Sequence, residues 1–127
     1  MLDKNLKIGI IGLGYVGLPL AVEFSKYFKT TGYDKSTNRI SELNNQIDKT
    51  MEVSSKKLLK SDLKYTVNPN DIKDCKVYII TVPTPVDKFK KPNLEPLRLA
   101  TETVARFINK NDIVIYESTV YPGATEE

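Results

Sequence analysis

Lys7-Ile8-Gly9-Ile10-Ile11-Gly12-Leu13-Gly14-Tyr15-Val16-Gly17 reads as a strand running into a phosphate-binding turn. A short apolar run rich in Ile suits a strand buried on both faces, as in a parallel sheet. Three glycines spaced G-x-G-x-x-G then open a helix. Each lacks a Cβ for its own reason: a tight turn, close backbone approach to a pyrophosphate, and close packing of helix on strand. The unpaired N–H groups and the positive dipole end of that helix would face the anion.

Working outward, the helix after the turn is expected from about Tyr15 to Phe28, with Val16, Leu20, Phe24 and Phe28 facing inward. Pro19 predicts a late helix start or a slight kink. A second short strand, Thr30 to Tyr33, ends in Asp34, seventeen residues beyond Gly17. In a dinucleotide fold an acidic residue about twenty positions on accepts hydrogen bonds from the adenosine ribose hydroxyls. The alternative is a turn or N-cap aspartate before Ser36 and Thr37. A carboxylate there repels a 2′-phosphate, which favours NAD over NADP, although Lys35 and Arg39 lie close by in the chain.

The chain continues with a helix from Thr37 to about Asn45 that turns Ile40, Leu43 and Ile47 inward, and a helical piece starting at Ser54 or Ser55. A third strand, Lys64 to Val67, precedes the turn Asn68-Pro69-Asn70-Asp71. The fourth strand, Cys75 to Val82, ends at Val82-Pro83-Thr84-Pro85. Two prolines so close exclude helix and stiffen this loop, which either walls the ligand crevice at the strand ends or serves as a rigid connector. A helix from Glu95 to Ile108, with Leu97, Ala100, Val104 and Ile108 inward, leads to a fifth strand, Asp112 to Tyr116. Glu117-Ser118-Thr119 then follows at the same rim as the glycine turn. The β-α alternation predicts an α/β fold, a doubly wound, mostly parallel sheet of Rossmann type occupying residues 1–127 as one domain.

Composition narrows the chemistry. The 19 basic and 16 acidic side chains give a net charge of +3, with lysines scattered rather than striped, so nucleic acid is not indicated. No apolar run approaches membrane-spanning length, and the N-terminus carries no secretory pattern, which makes the cytoplasm the expected compartment. With one cysteine and no histidine, neither an internal disulfide nor a Cys/His zinc site can be assembled. Cys75 reads as a small buried residue rather than a reactive thiol. The missing histidine removes the acid/base of lactate and malate dehydrogenases. No Tyr has Lys four positions later, which removes the short-chain dehydrogenases.

Taken together, Gly12-Leu13-Gly14-Tyr15-Val16-Gly17-Leu18-Pro19, Asp34 with Arg39, Val82-Pro83-Thr84-Pro85, Pro92-Asn93-Leu94 and Glu117-Ser118-Thr119-Val120-Tyr121-Pro122-Gly123 resemble the NAD-binding domain of the UDP-glucose/GDP-mannose dehydrogenase family. The Tyr-Pro-Gly and Val-Pro-Thr-Pro forms look more like the UDP-N-acetylhexosamine branch, used for bacterial surface polysaccharide, than the UDP-glucose branch. The resemblance implies oxidation of a sugar C6 alcohol to a carboxylate in two NAD-dependent steps. It also implies a UDP-sugar substrate and a homo-oligomer at full length. Gly12, Gly14, Tyr15, Val16 and Gly17 would bind pyrophosphate, with Tyr15 alternatively a packing residue. Asp34 and Arg39 would hold the adenosine side; Thr84, Ser118 and Thr119 would line the nicotinamide side, with Val82 and Pro83 walling the cofactor. In the family the thiol nucleophile and its neighbours come from later segments, so no catalytic residue and no metal ligand is assigned to this chain, which is expected to be part of a longer enzyme. The reading from a different class is a free-standing NAD-binding sensor, which has no need of the Thr84 loop or of Ser118 and Thr119.

Overall fold

The computed structural model describes residues 5–82, 89, 91 and 93–117. Five strands form one sheet in the order β3-β2-β1-β4-β5: β1 (Lys7–Ile11), β2 (Lys29–Tyr33), β3 (Lys64–Thr66), β4 (Val77–Ile80) and β5 (Ile113–Tyr116). Every pairing is parallel, with Ile8 opposite Thr30 and Val77, and Ile11 opposite Tyr33 and Ile80. Parallel neighbours require crossovers, supplied by α1 (Gly17–Ser25), α2 (Thr37–Asn44), α3 (Ser55–Lys60) and α4 (Glu95–Ala105), with a 3₁₀ turn at Pro69–Ile72.

Strand alternation divides the core into two layers. Ile8, Ile10 and Ile79 face α1, α2 and α3 through Leu18, Ala21, Val22, Ile40, Leu43 and Leu58. Ile11, Tyr78 and Ile80 face the 3₁₀ turn and α4 through Ile72, Ala100 and Val104. The central strands are therefore wetted on neither side, which is why they read as unbroken apolar runs. Local chemistry starts several elements: Ser36 Oγ accepts from Arg39 N at 3.1 Å, Ser54 Oγ from Lys57 N at 3.2 Å, and Asn68 Oδ1 from Asn70 N at 3.0 Å.

Three expected helix faces shift. In α1 the buried face is Gly17, Leu18, Ala21 and Val22, whereas Leu20, Phe24 and Phe28 sit half-buried at its margin. The cause is Pro19, which has no N–H to donate and is accommodated in the first turn, so that the helix begins only at Gly17 and Val16 stays outside as its cap. Ile47 is exposed because α2 stops at Asn44 and the chain turns through Gln46 with positive φ. Ile108 is also exposed: α4 ends at Ala105, and Phe107 takes the last position against the core.

Candidate functional site

The glycine turn leaves β1 at its C-terminal end, beside the ends of β2 and β4, where the strand order reverses direction. Gly12 has φ +98°, open to glycine but strained for other residues. Its N–H donates to Tyr33 O at 2.8 Å. Gly17 is buried, and a Cβ there would fall onto the Gly12 carbonyl oxygen and the Thr81 hydroxyl. A Cβ on Gly14, by contrast, would meet no protein atom within 4 Å. The three glycines thus divide the work: one bends the chain, one leaves space, and one lets the helix sit on the strand.

A turn that offers its N–H groups to an anion must send its carbonyls inward, where they need donors. Thr81 Oγ1 donates to Gly12 O at 2.6 Å, with Ile11 O at 3.1 Å. Arg39 Nε donates to Leu13 O at 2.6 Å. The Leu13 N–H is held by Asp34 Oδ2 at 2.9 Å. That leaves the N–H groups of Gly14, Tyr15 and Val16 with no acceptor among the described residues. The first turn of α1 carries no acidic side chain, so its positive end is uncompensated. Both features fit a bound phosphate group.

Asp34 answers to both of its readings. Its Oδ1 accepts from Ser36 N at 2.9 Å, a turn contact, while Oδ2 ties β2 to the glycine turn. Each oxygen retains acceptor capacity for a ribose hydroxyl. Asp34→Ala is expected to weaken NAD binding by about 1.5–3 kcal/mol, read by calorimetry, since it removes a charged acceptor.

These groups line one side of a cleft of about 630 Å³. Its far wall is α4, through Pro96, Leu99, Ala100 and Thr103, with Tyr33, Thr81 and Val82 at the floor and Lys49 and Thr50 at the rim. Burial, and after it the Asp34 charge, raises the Tyr33 phenol above its ordinary value, so it stays neutral beside the cleft. The sequence reading missed the α4 wall, because a helix pattern tells which side faces the core but not which end overhangs a neighbouring loop. A larger groove of about 850 Å³ lies at the opposite ends of the strands, around Lys7, Lys29 and Lys64. It has no glycine turn and lies away from the strand C-termini where open α/β sheets bind ligands.

Not every expected contact lies in the cleft. Tyr15 is 67% exposed at the rim, outside the core of this domain. Val16 is 38% exposed and outside the lining, and Gly17 is buried beneath it. Arg39 reaches the lining, but its side chain is only 10% exposed and is engaged inward. Pro83, Thr84, Ser118 and Thr119 lie outside the described residues. Among the described residues no cluster of His, Cys, Asp or Glu could hold a metal, and no helix is long and apolar enough to cross a membrane.

Cys75 is buried under the sheet, and desolvation pushes its thiol up to about 11. The thiolate is the reactive form, so in this folded 127-residue chain Cys75 should resist a disulfide reagent at pH 8 and react only in denaturant. Fast labelling of the native chain would contradict this placement.

A phosphate turn of this build, with an acidic strand end beside it at the switch point of a parallel sheet, defines a doubly wound α/β domain that binds a dinucleotide. Within that class the chain belongs to the UDP-glucose/GDP-mannose dehydrogenase family, whose NAD binding domain matches residues 6–127. It is 54% identical over 125 residues to UDP-N-acetyl-D-glucosamine 6-dehydrogenase of Pseudomonas aeruginosa, covering 98% of this chain and 30% of that protein. It is 52% identical over 123 residues to Protein CapL of Staphylococcus aureus, covering 97% of this chain and 29% of the relative. A solved UDP-D-ManNAc dehydrogenase from Pyrococcus horikoshii superposes with a TM-score of 0.78 at 35% identity, covering 95% of this chain and 30% of the other. The chain thus spans about 30% of the length of the curated relatives it matches.

Proposed function

We infer that this domain holds the oxidant for a cytoplasmic nucleotide-sugar 6-dehydrogenase of the UDP-N-acetylhexosamine branch, working in surface-polysaccharide synthesis. The observation that carries the reading is the pair of amides at Gly14 and Tyr15, which have no acceptor among the described residues and line a cleft together with Asp34. High identity to the Pseudomonas enzyme supports the choice of an N-acetylated UDP-sugar.

Bound NAD would supply the hydride acceptor for two successive oxidations at the sugar C6, which with one water would take the alcohol to the carboxylate. The residues of this chain bind and orient. The turn amides would hold the pyrophosphate, Asp34 would hold the adenosine ribose, and the apolar face of α4 at Pro96 and Leu99 would exclude water from the cofactor. Thr84, Ser118 and Thr119 are proposed for the nicotinamide side, and Val82 for the floor. The thiol, the sugar site and the homo-oligomer contacts are assigned to the remaining part of a longer polypeptide, because the relatives are about three times this length.

The test is an assay of the full-length polypeptide with UDP-N-acetyl-D-glucosamine and NAD, followed at the NADH absorbance. Two NADH formed per sugar is the expected result. NAD binding without turnover on any UDP-sugar would instead favour the regulatory sensor.

A further inference from the structure

Asp48 does not belong to the glycine turn, the acidic strand end or the cleft lining, and its side chain is fully buried. A buried carboxylate needs donors for all its lone pairs, and this one has five. Oδ1 accepts from Arg39 Nη1 at 2.9 Å, from Thr50 Oγ1 at 2.6 Å and from Thr50 N at 3.0 Å. Oδ2 accepts from the N–H groups of Glu52 and Val53, each at 3.0 Å. The same guanidinium donates through Nε to the Leu13 carbonyl, inside the phosphate turn, and through Nη1 to Glu42 Oε2 at 3.0 Å. Glu42 in turn accepts from Lys49 N at 2.9 Å. One buried cation therefore joins the phosphate turn to the loop that places Lys49 and Thr50 at the cleft rim.

We propose that Asp48 is a positioning residue for the cofactor: through Arg39 it holds the Leu13 carbonyl inward, so that the following N–H groups stay aimed at the pyrophosphate. The inference rests on the NAD reading above and assigns a role to a residue that does not touch the cofactor. The guanidinium is planar, so once Nη1 is locked between two carboxylates the direction of Nε is set. Without Asp48 the guanidinium keeps only one carboxylate partner, Glu42 on its own helix, and loses its tie to the loop after α2. By linkage the coupling runs both ways: NAD on the turn must tighten the hydrogen bonds that Asp48 makes to its own loop.

Two measurements on the full chain decide the matter. Asp48→Asn, which keeps the shape and loses the charge, should weaken NAD binding about tenfold by calorimetry, scored on the binding-competent fraction given by the stoichiometry. Arg39→Lys should weaken it also, and Asp48→Asn added to Arg39→Lys should cost almost nothing further, because both act on one carbonyl. Additive losses, or a folded Asp48→Asn chain with native affinity, would overturn the proposal. A merely structural carboxylate lowers the melting temperature and leaves that affinity alone. The second measurement uses the unmodified protein, so it stands even where the variant does not fold. NAD should slow amide exchange at Glu52 and Val53, which lie outside the cleft lining, and unchanged exchange there refutes the coupling. A native chain that binds no NAD at all defeats the cofactor reading instead.

Discussion

Gly17→Ala is expected to unfold or severely destabilise this domain, while Gly14→Ala, three residues away in the same motif, should leave its stability intact and abolish tight NAD binding. The two glycines look alike in sequence and differ in what surrounds them. A methyl on Gly17 collides with the Gly12 carbonyl oxygen, itself pinned by Thr81, and with the Thr81 hydroxyl. Neither atom can retreat, because Thr81 also pairs through its N–H with Ile11 O at 2.8 Å. Relief requires α1 to lift off β1, opening the layer built on Leu18, Ala21 and Val22, at a cost of about 3 kcal/mol or more. A methyl on Gly14 meets only open space and no positive φ, so the folded protein should change by less than about 0.5 kcal/mol. That space is where the pyrophosphate must approach the backbone, and affinity should fall at least about tenfold. Urea unfolding and calorimetry on both variants check the contrast. Equal loss of stability in the two would show that Gly17 is not packed against the Gly12 carbonyl and Thr81.

The second large effect concerns the ion pair below that turn. Arg39→Met keeps the aliphatic stem, removes the guanidinium, and leaves Asp48 charged and enclosed with the Leu13 carbonyl unpaired. Removing one partner of a buried pair costs about 3–5 kcal/mol. The pH dependence has a definite sign. Burial works to raise the Asp48 carboxyl, but the Thr50 hydroxyl, the Val53 amide and Arg39 together outweigh it and hold the group below its ordinary value. A depressed carboxyl contributes stability that is fully present above the ordinary aspartate range and is lost as pH falls through its value in the folded protein. In Arg39→Met that depression shrinks, so acid unfolding should begin at higher pH. Urea midpoints between pH 7 and pH 3 measure both effects. A variant as stable as the native chain at neutral pH would show the pair to be dispensable.

Much of this was legible in the residues. Ile8 to Ile11 and Val77 to Ile80 announce strands covered on both sides, and only a parallel sheet between helix layers provides that. The G-x-G-x-x-G spacing and Asp34 announce the cofactor, because a tight turn, an approach site and an acidic strand end have few other joint uses. Helix faces were read less well. Val16, Ile47 and Ile108 keep the helical period, but they fall at or beyond helix ends set by Pro19, by the positive φ of Gln46 and by the stop of α4 at Ala105.

What the sequence by itself determined, then, is the layer architecture and the class of the bound group, a dinucleotide, since both follow from periodicity and from short spacings along the first strands. What only the tertiary structure decided is how residues distant in the chain divide the labour around the turn. Arg39, expected at the adenosine, lines the cleft and also holds Leu13 and Asp48, separated from it by 26 and 9 positions. Thr81, 69 positions from Gly12, satisfies the carbonyl that Gly17 must clear. A hydrogen bond depends on a few tenths of an ångström and on direction, and no spacing in a sequence carries either across a crossover of the chain.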